Sequence, residues 1–334
     1  MPDLALSNED FSTLRGLRIE AIVHSAAVVD HSRPYDALRS TNVLAASCLI
    51  DLVTSLQVQP LPPPLFIMVS TMSVIPVASA AEALRWTEVA ESLVPPACAT
   101  ALESGYAQSK LISEHRLAAS ASQGRIRLLI ARLGLIGAPS TDALYKEPGG
   151  TCSGHAGRRD WLSLLLCAVE STGASPAGLC SGNRGVAVLP VDVVAGALAE
   201  EAAKAGSCMN VEDEPYRIMH LDAMAFGLQP RLLSSLLDEI EMARGSEMPT
   251  LRRELPYPDW RRLVAGAGPP AILALAMLPP EGKGGALRLP SGARRRLRDR
   301  SRLAETSEKQ AISESASDGE IGEHAVERDT GQHL

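Results

Sequence analysis

An α/β fold built on a doubly wound parallel sheet is what this sequence predicts, on three observations. Two apolar runs, LFIMVSTMSV (65–74) and RIRLLIARLGLIG (125–137), have the length and continuous hydrophobicity of strands buried on both faces. Between them GYAQSKLISEHRLAASAS (105–122) reads as a helix, which makes a strand–helix–strand unit. A third run, IEAIVH (19–24), is followed by an amphipathic helical stretch over 33–56, so the unit repeats upstream. The 334 residues are 46% hydrophobic but only 3% aromatic. A core of this composition is made of Leu, Val, Ile and Ala.

Taken in order, the chain opens on a short polar helix through Leu14, with Ser7 as its cap. The strand through His24 runs into Ser25, Ala26 and Ala27, small residues that let a ligand approach the backbone closely; a tight strand-to-loop turn is the plainer reading. An Ala- and Pro-rich insert between Ile75 and Ser104 is expected to be a flap or a surface excursion. Trp161 opens an apolar helix, and Val186–Pro190 is expected to be a short strand before a helix capped by Asp192. SCMNVEDEPYRIMHLDAMAFGL (207–228) reads as a further strand and a helix start, and Trp260 as a packing anchor. His220, beside that helix start, reads as structural rather than as a base. From about Pro279 the composition turns to Gly, Pro, Arg, Ser and Glu, the signature of a disordered charged tail. The expected organisation is a main domain over 1–205, a small subdomain over 206–278 and the tail over 279–334.

Chemistry concentrates in GYAQSK. Tyr106 and Lys110 lie four residues apart, so one helical turn stacks phenol and ammonium on one face. A free tyrosine ionises near ~10, and a neighbouring cation favours the phenolate, which suits proton transfer to a carbonyl oxygen. Tyr-x-x-x-Lys also occurs on ordinary exposed helix starts. The flanking strands favour the chemical reading, because they place the pair at the carboxyl ends of parallel strands, where such sheets bind ligands.

With this context the sequence resembles the extended short-chain dehydrogenase/reductase superfamily, whose triad is Ser or Thr, Tyr and Lys. The hydroxyl residue three before the valine of the strand-end motif is Thr71; Ser70 is the alternative. The motifs HSAAVVD, RPYDALRSTNV, VSTMSV, GYAQSK, RLGLIG and LPVDVV occur in the order found in thioester reductase domains. These are the reductive release domains of nonribosomal peptide synthetases, carboxylic acid reductases and α-aminoadipate reductases. The resemblance covers roughly residues 2–264. It departs at Leu133, where a proline usually follows the arginine, and over 141–159.

The resemblance implies a Rossmann-like domain with a C-terminal substrate subdomain, and NADPH as cofactor. It implies reduction of an acyl thioester, carried on the phosphopantetheine arm of a carrier protein, to an aldehyde or onward to an alcohol. Tyr106 would protonate the carbonyl oxygen and Thr71 would supply a second hydrogen bond. Lys110 would tune Tyr106 and hold the nicotinamide ribose, and His24, Ala26, Ala27, Leu133 and Ile136 would line the cofactor. Such domains open with a strand and a Gly-rich turn that holds the pyrophosphate at a helix N-terminus. No G-x-x-G-x-x-G precedes His24, so the expectation is an N-terminally truncated sheet that lacks its first three strands. Two rival readings follow: a truncated, inactive homologue, or another member of the superfamily such as a sugar epimerase or ketone reductase.

Bulk properties narrow the partners. A net charge of −7, from 39 acidic and 32 basic residues, disfavours nucleic acid. Six scattered cysteines with no C-x-x-C pair predict neither a zinc site nor a disulfide frame. No signal-peptide pattern or unbroken apolar run of ~18–20 residues occurs, so the expected location is cytoplasmic, with no membrane partner.

Overall fold

The apolar runs fold as the strands their hydrophobicity predicts. In the computed structural model of the protein, residues 6–15, 17, 19–56, 62–76, 89–102, 104–137, 161–177, 185–206, 215–228, 231–232, 235, 238 and 253–268 are described. All of them lie within the unit Met1–Arg295. The strands are β1 (Ala21–His24), β2 (Leu65–Thr71), β3 (Arg127–Leu133), β4 (Leu135–Gly137), β5 (Ala174–Pro176), β6 (Gly185–Val186), β7 (Val188–Pro190), β8 (Tyr216–Leu221), β9 (Arg231–Leu232) and β10 (Arg253–Leu255). The helices are α1 (Asn8–Arg15), α2 (Tyr35–Arg39), α3 (Ala45–Leu56), α4 (Gly105–Ser122), α5 (Trp161–Thr172), α6 (Val191–Ala203) and α7 (Tyr257–Gly266).

β1, β2, β3 and β8 form one parallel sheet in that order. Its two faces follow from strand pleating, which sends alternate side chains to opposite sides. Phe66, Met68, Leu128, Ile130 and Ile218 pack with Ala46, Ile50, Leu117, Ala118 and Ala121 from α3 and α4. Leu65, Ile67, Leu129, Ala131, Met219 and Leu221 pack on the other face with Leu189 and with Val194 of α6. Each fully buried aliphatic side chain contributes ~1.5–3 kcal/mol, so these two layers hold the sheet between its helices. β1 is an edge of the described sheet, and Val23 on it is 45% exposed. The architecture is α/β and Rossmann-like, as expected from the sequence.

Three details differ from the sequence reading. Tyr216–Leu221, assigned there to the C-terminal subdomain, is the fourth strand of the main sheet, beside β3. The apolar run 65–74 is a strand only to Thr71, after which Met72–Val74 make a tight 3-10 turn. Asp192 does not cap α6: Pro190 holds the cap position without a side-chain cap bond, and Asp192 sits in the first turn, where its charge suits the helix dipole. Ser7 does cap α1, accepting from the Asp10 N–H at 3.1 Å while the Asp10 carboxylate accepts from the Ser7 N–H at 2.7 Å. Trp260 is the anchor expected of it: fully buried, it donates its ring N–H to the Ala174 carbonyl at 2.9 Å, next to the β5–β10 pair. The centre of the insert (77–88), the divergent stretch from 141 to 159 and the tail from 279 lie outside the described residues.

Candidate active site

α4 begins where the chain can tolerate no side chain. A Cβ on Gly105 would lie 2.5 Å from the Arg33 carbonyl oxygen and the Pro34 carbonyl carbon, and would press on the Tyr35 nitrogen as well. Only glycine lets the helix start touch the backbone of 33–35. Ser104 caps the helix, its hydroxyl accepting from the Ala107 N–H at 3.2 Å. The RPY and GYAQSK motifs, 70 residues apart in sequence, are thus one structural joint.

From that joint α4 runs with Tyr106, Lys110 and Glu114 at four-residue spacing along one face. All three are buried. Lys110 is 2% exposed and donates from Nζ to the Val69 carbonyl of β2 at 2.7 Å. Burial lowers its pKa to about 8, an effect that the charge of Glu114 opposes. His24, at the end of β1, is also buried; burial and the Lys110 charge lower its pKa to about 4, so its ring is neutral at pH 7. The sequence reading had Lys110 pulling Tyr106 toward ionisation. In the structure burial dominates instead and pushes the phenol up to about 12. The ammonium is engaged with a backbone carbonyl, and the phenol keeps its proton.

The two adjacent hydroxyls of β2 serve different ends. Ser70 faces the α4 layer and donates to Glu114 Oε1 at 2.6 Å. Glu114 is gripped from β3 by Arg132, Nε to Oε1 at 3.1 Å and Nη2 to Oε2 at 2.7 Å, with both side chains fully buried. Arg132 Nη1 also lies 3.4 Å from His220 Nε2. Ser70 is therefore committed to a buried ionic network. Thr71 is half-buried at the turn; its hydroxyl accepts from the Ser73 N–H and donates to Ser73 Oγ, both at 3.2 Å. Of the two, Thr71 is the one outside the network.

The loop after β1 completes the surroundings. Ser25 and Ala26 are exposed and Ala27 is half-buried, so that backbone is accessible. The loop is held by Asn42, which lies in a wide π-helical turn, Ser40–Leu44, between α2 and α3. Its amide accepts from the Val28 N–H at 2.8 Å and donates to the Val28 carbonyl and to Ser109 Oγ, both at 3.0 Å. On the same loop the His31 ring stands edge-on to Tyr106, centroids 5.1 Å apart, with Nδ1 3.3 Å from Ser104 Oγ. Burial lowers the His31 pKa, partly countered by Asp30. Of the remaining expected site residues, Leu133 is buried in the α6-side core and Ile136 packs against it, so their side chains serve the core.

His31, Asn42, Glu114 and Arg132 were not singled out from the sequence as site residues. A usable sign was present for the last two: a carboxylate and a guanidinium inside otherwise buried segments require partners. Among the described residues no set of His, Cys, Asp and Glu could hold a metal ion, and no helix is long and apolar enough to cross a membrane.

The family model of NAD-binding domains described as "Male sterility protein" matches residues 1–198. Among solved structures, the terminal R domain from the myxalamid PKS-NRPS biosynthetic pathway is 24% identical at a TM-score of 0.58, covering 86% of this chain and 64% of that one. The reductase (R) domain of a nonribosomal peptide synthetase from Mycobacterium tuberculosis is 22% identical at 0.56, covering 92% and 67%. An archaeal thiolation-reductase di-domain is 17% identical at 0.51, covering 80% and 50%. At these identities the likeness establishes the fold, and the chain spans about half to two thirds of those proteins' length. No curated protein sequence matches the chain.

Proposed function

Because the chain belongs to the NAD-binding family described as "Male sterility protein", we propose that it is a reductase of carrier-bound acyl thioesters that uses NADPH. The observation that carries this reading is the buried pair Tyr106 and Lys110, one helical turn apart at the carboxyl ends of the parallel strands, with Lys110 fixed to the Val69 carbonyl. The residues present fit the ribose and nicotinamide half of such a cofactor. Lys110 is a buried donor, Tyr106 a second, and the small residues 25–27 leave backbone open beside them. Among the described residues no glycine-rich turn follows a strand into a helix, so no residue is assigned to the pyrophosphate.

When bound, the cofactor supplies a hydride, and with one proton from the protein a thioester becomes an aldehyde and a free thiol. Tyr106 is the proton source: with its pKa at about 12 it is fully protonated at neutral pH and can donate to a carbonyl oxygen. Thr71 offers a second hydroxyl for that oxygen. Lys110 places a positive charge next to the developing negative one, an arrangement worth most where water is excluded. Asn42 and Gly105 hold the two walls of the site in register. The residues following β8, with α7 and the β5–β10 pair, are the proposed substrate side, and a phosphopantetheine carrier protein is the proposed partner.

Incubation of the protein with an acyl-pantetheine thioester and NADPH or NADH, with the aldehyde read by mass spectrometry, tests the reading. Aldehyde is expected with NADPH. Tyr106→Phe, which keeps the ring and removes the proton, is expected to lower the rate by ~10²-fold or more without weakening cofactor binding. Absence of aldehyde with either cofactor, or near-normal turnover by Tyr106→Phe, overturns it.

A further inference from the structure

We propose that Glu114 and Arg132 are positioning residues for Lys110: a buried carboxylate, one turn beyond the lysine on α4 and clamped by a guanidinium from β3, holds the lysine in place as a cation. This rests on reading Lys110 as the site's cation and goes beyond it by naming what maintains that charge.

An ammonium that is 2% exposed loses most of its hydration, and a single backbone carbonyl, Val69, replaces only part of it. The compensating charge that acts on it is Glu114, one turn further along α4. Its attraction raises the Lys110 pKa against the lowering by burial. A buried carboxylate needs partners of its own. Arg132 pairs it through both oxygens, and Ser70 adds a third hydrogen bond to Oε1. The carboxylate is thus fixed at the α4–β3 contact, one helical turn from Lys110. The network also reaches the strands on either side: Ser70 sits in β2 directly after Val69, and Arg132 lies 3.4 Å from His220 in β8. Among the described residues, His24 at the end of β1 feels the Lys110 charge, and Tyr106 lies one turn before Lys110 on α4 with the His31 ring against it. On the β8 side His220, beside Arg132, donates its backbone N–H to Glu91 at 2.9 Å.

A purely structural ion pair would explain the stability of the α4–β3 contact but would leave the titration of Lys110 alone. The two roles separate in a charge-free replacement. Glu114→Gln combined with Arg132→Met removes both charges without stranding either, which avoids the large penalty of a lone buried ion. Glu114→Gln alone leaves Arg132 uncompensated beside the lysine.

The experiment is NMR titration of protein carrying ¹³C at lysine Cε. The chain has only five lysines, and Lys110→Arg identifies the resonance. In the wild type the Lys110 midpoint is expected near about 8. In the double variant it is expected to fall by about one pH unit, and in Glu114→Gln further still. The alkaline limb of the reductase rate should move down with it, because the cation is lost at lower pH. An unchanged Lys110 midpoint in the double variant, with folding intact, overturns the proposal, as does a wild-type midpoint at the ordinary lysine value. The titration needs neither cofactor nor substrate. A protein with no turnover but a displaced midpoint therefore counts against the reductase reading while supporting the charge support described here.

Discussion

Lys110 should be a site at which the protein gives up stability, and the effect has a definite pH signature. Its pKa falls from 10.5 to about 8, chiefly through burial, which corresponds to roughly 3 kcal/mol of free energy. Below pH 8 the lysine is charged in both folded and unfolded chains, so the whole penalty is present. Between about 8 and 10.5 the unfolded chain binds more protons than the folded one, and stability therefore rises with pH. Above that window the penalty is gone. Lys110→Met keeps the length and flexibility of the side chain without the charge. It loses the hydrogen bond to Val69, worth about 1 kcal/mol. A net gain of about 2 kcal/mol at pH 7 is expected, falling through zero at pH ~10 and turning into a net loss of up to about 1 kcal/mol above pH 10.5, where only the lost hydrogen bond remains. Glu114 stays paired with Arg132 in the variant. His24, relieved of its charged neighbour, should titrate above about 4. Urea unfolding of both proteins at pH 7 and pH 10 measures the difference. A variant that is less stable at pH 7, or equally stabilised at both pH values, would refute the electrostatic account.

Gly105→Ala puts a methyl group against three backbone atoms of 33–35 that no rotamer change can move. It should cost more than ~2 kcal/mol in unfolding experiments, and a cost below ~1 kcal/mol would mean that the joint is loose. Asn42→Ala leaves the Val28 N–H and carbonyl without their side-chain partner. A loss of about 2 kcal/mol is expected, together with faster protease cleavage within 25–34; an unchanged cleavage rate would show that the loop is held by other means.

How much of this was legible in the sequence depends on the range of the interaction. The strands and helices were legible because periodicity is local: β2, β3 and α4 fall where the apolar pattern places them, and Ser7 caps α1 as its position predicts. Asp192 misled because cap position is decided within a single residue, and Pro190 took it. The effect of Lys110 on Tyr106 misled for a different reason. Spacing puts the two groups on one face but does not say how deeply they are buried, and burial decides the sign of the tyrosine's displacement. The tie between Gly105 and 33–35, and the clamp of Arg132 on Glu114, are tertiary contacts that periodicity cannot reveal. Even so, an arginine within RLLIARLGL was a visible anomaly that only a buried partner could resolve.

The division of labour between Ser70 and Thr71 follows from that anomaly and from the geometry of a strand. Successive residues point to opposite faces, so one of two adjacent hydroxyls must look toward α4 and the other away. Phe66 and Met68 mark the α4 face, and Ser70 continues that row, in register with Arg132 on β3 and through it with His220 on β8. On that row a polar side chain is surrounded by core, and its hydroxyl must be satisfied there; Glu114 satisfies it. Thr71 escapes only because β2 ends at it, where the 3-10 turn of Met72–Val74 carries the chain off the sheet and leaves the threonine half-buried. Registry thus assigns Ser70 to the buried network and leaves Thr71, whose hydroxyl bonds Ser73, outside it. The same registry accounts for Leu133, at the position where the resemblance leads one to expect proline. As the last residue of β3, paired with Thr71 and Leu221, it keeps a backbone N–H for the sheet and fills the α6-side core with its side chain.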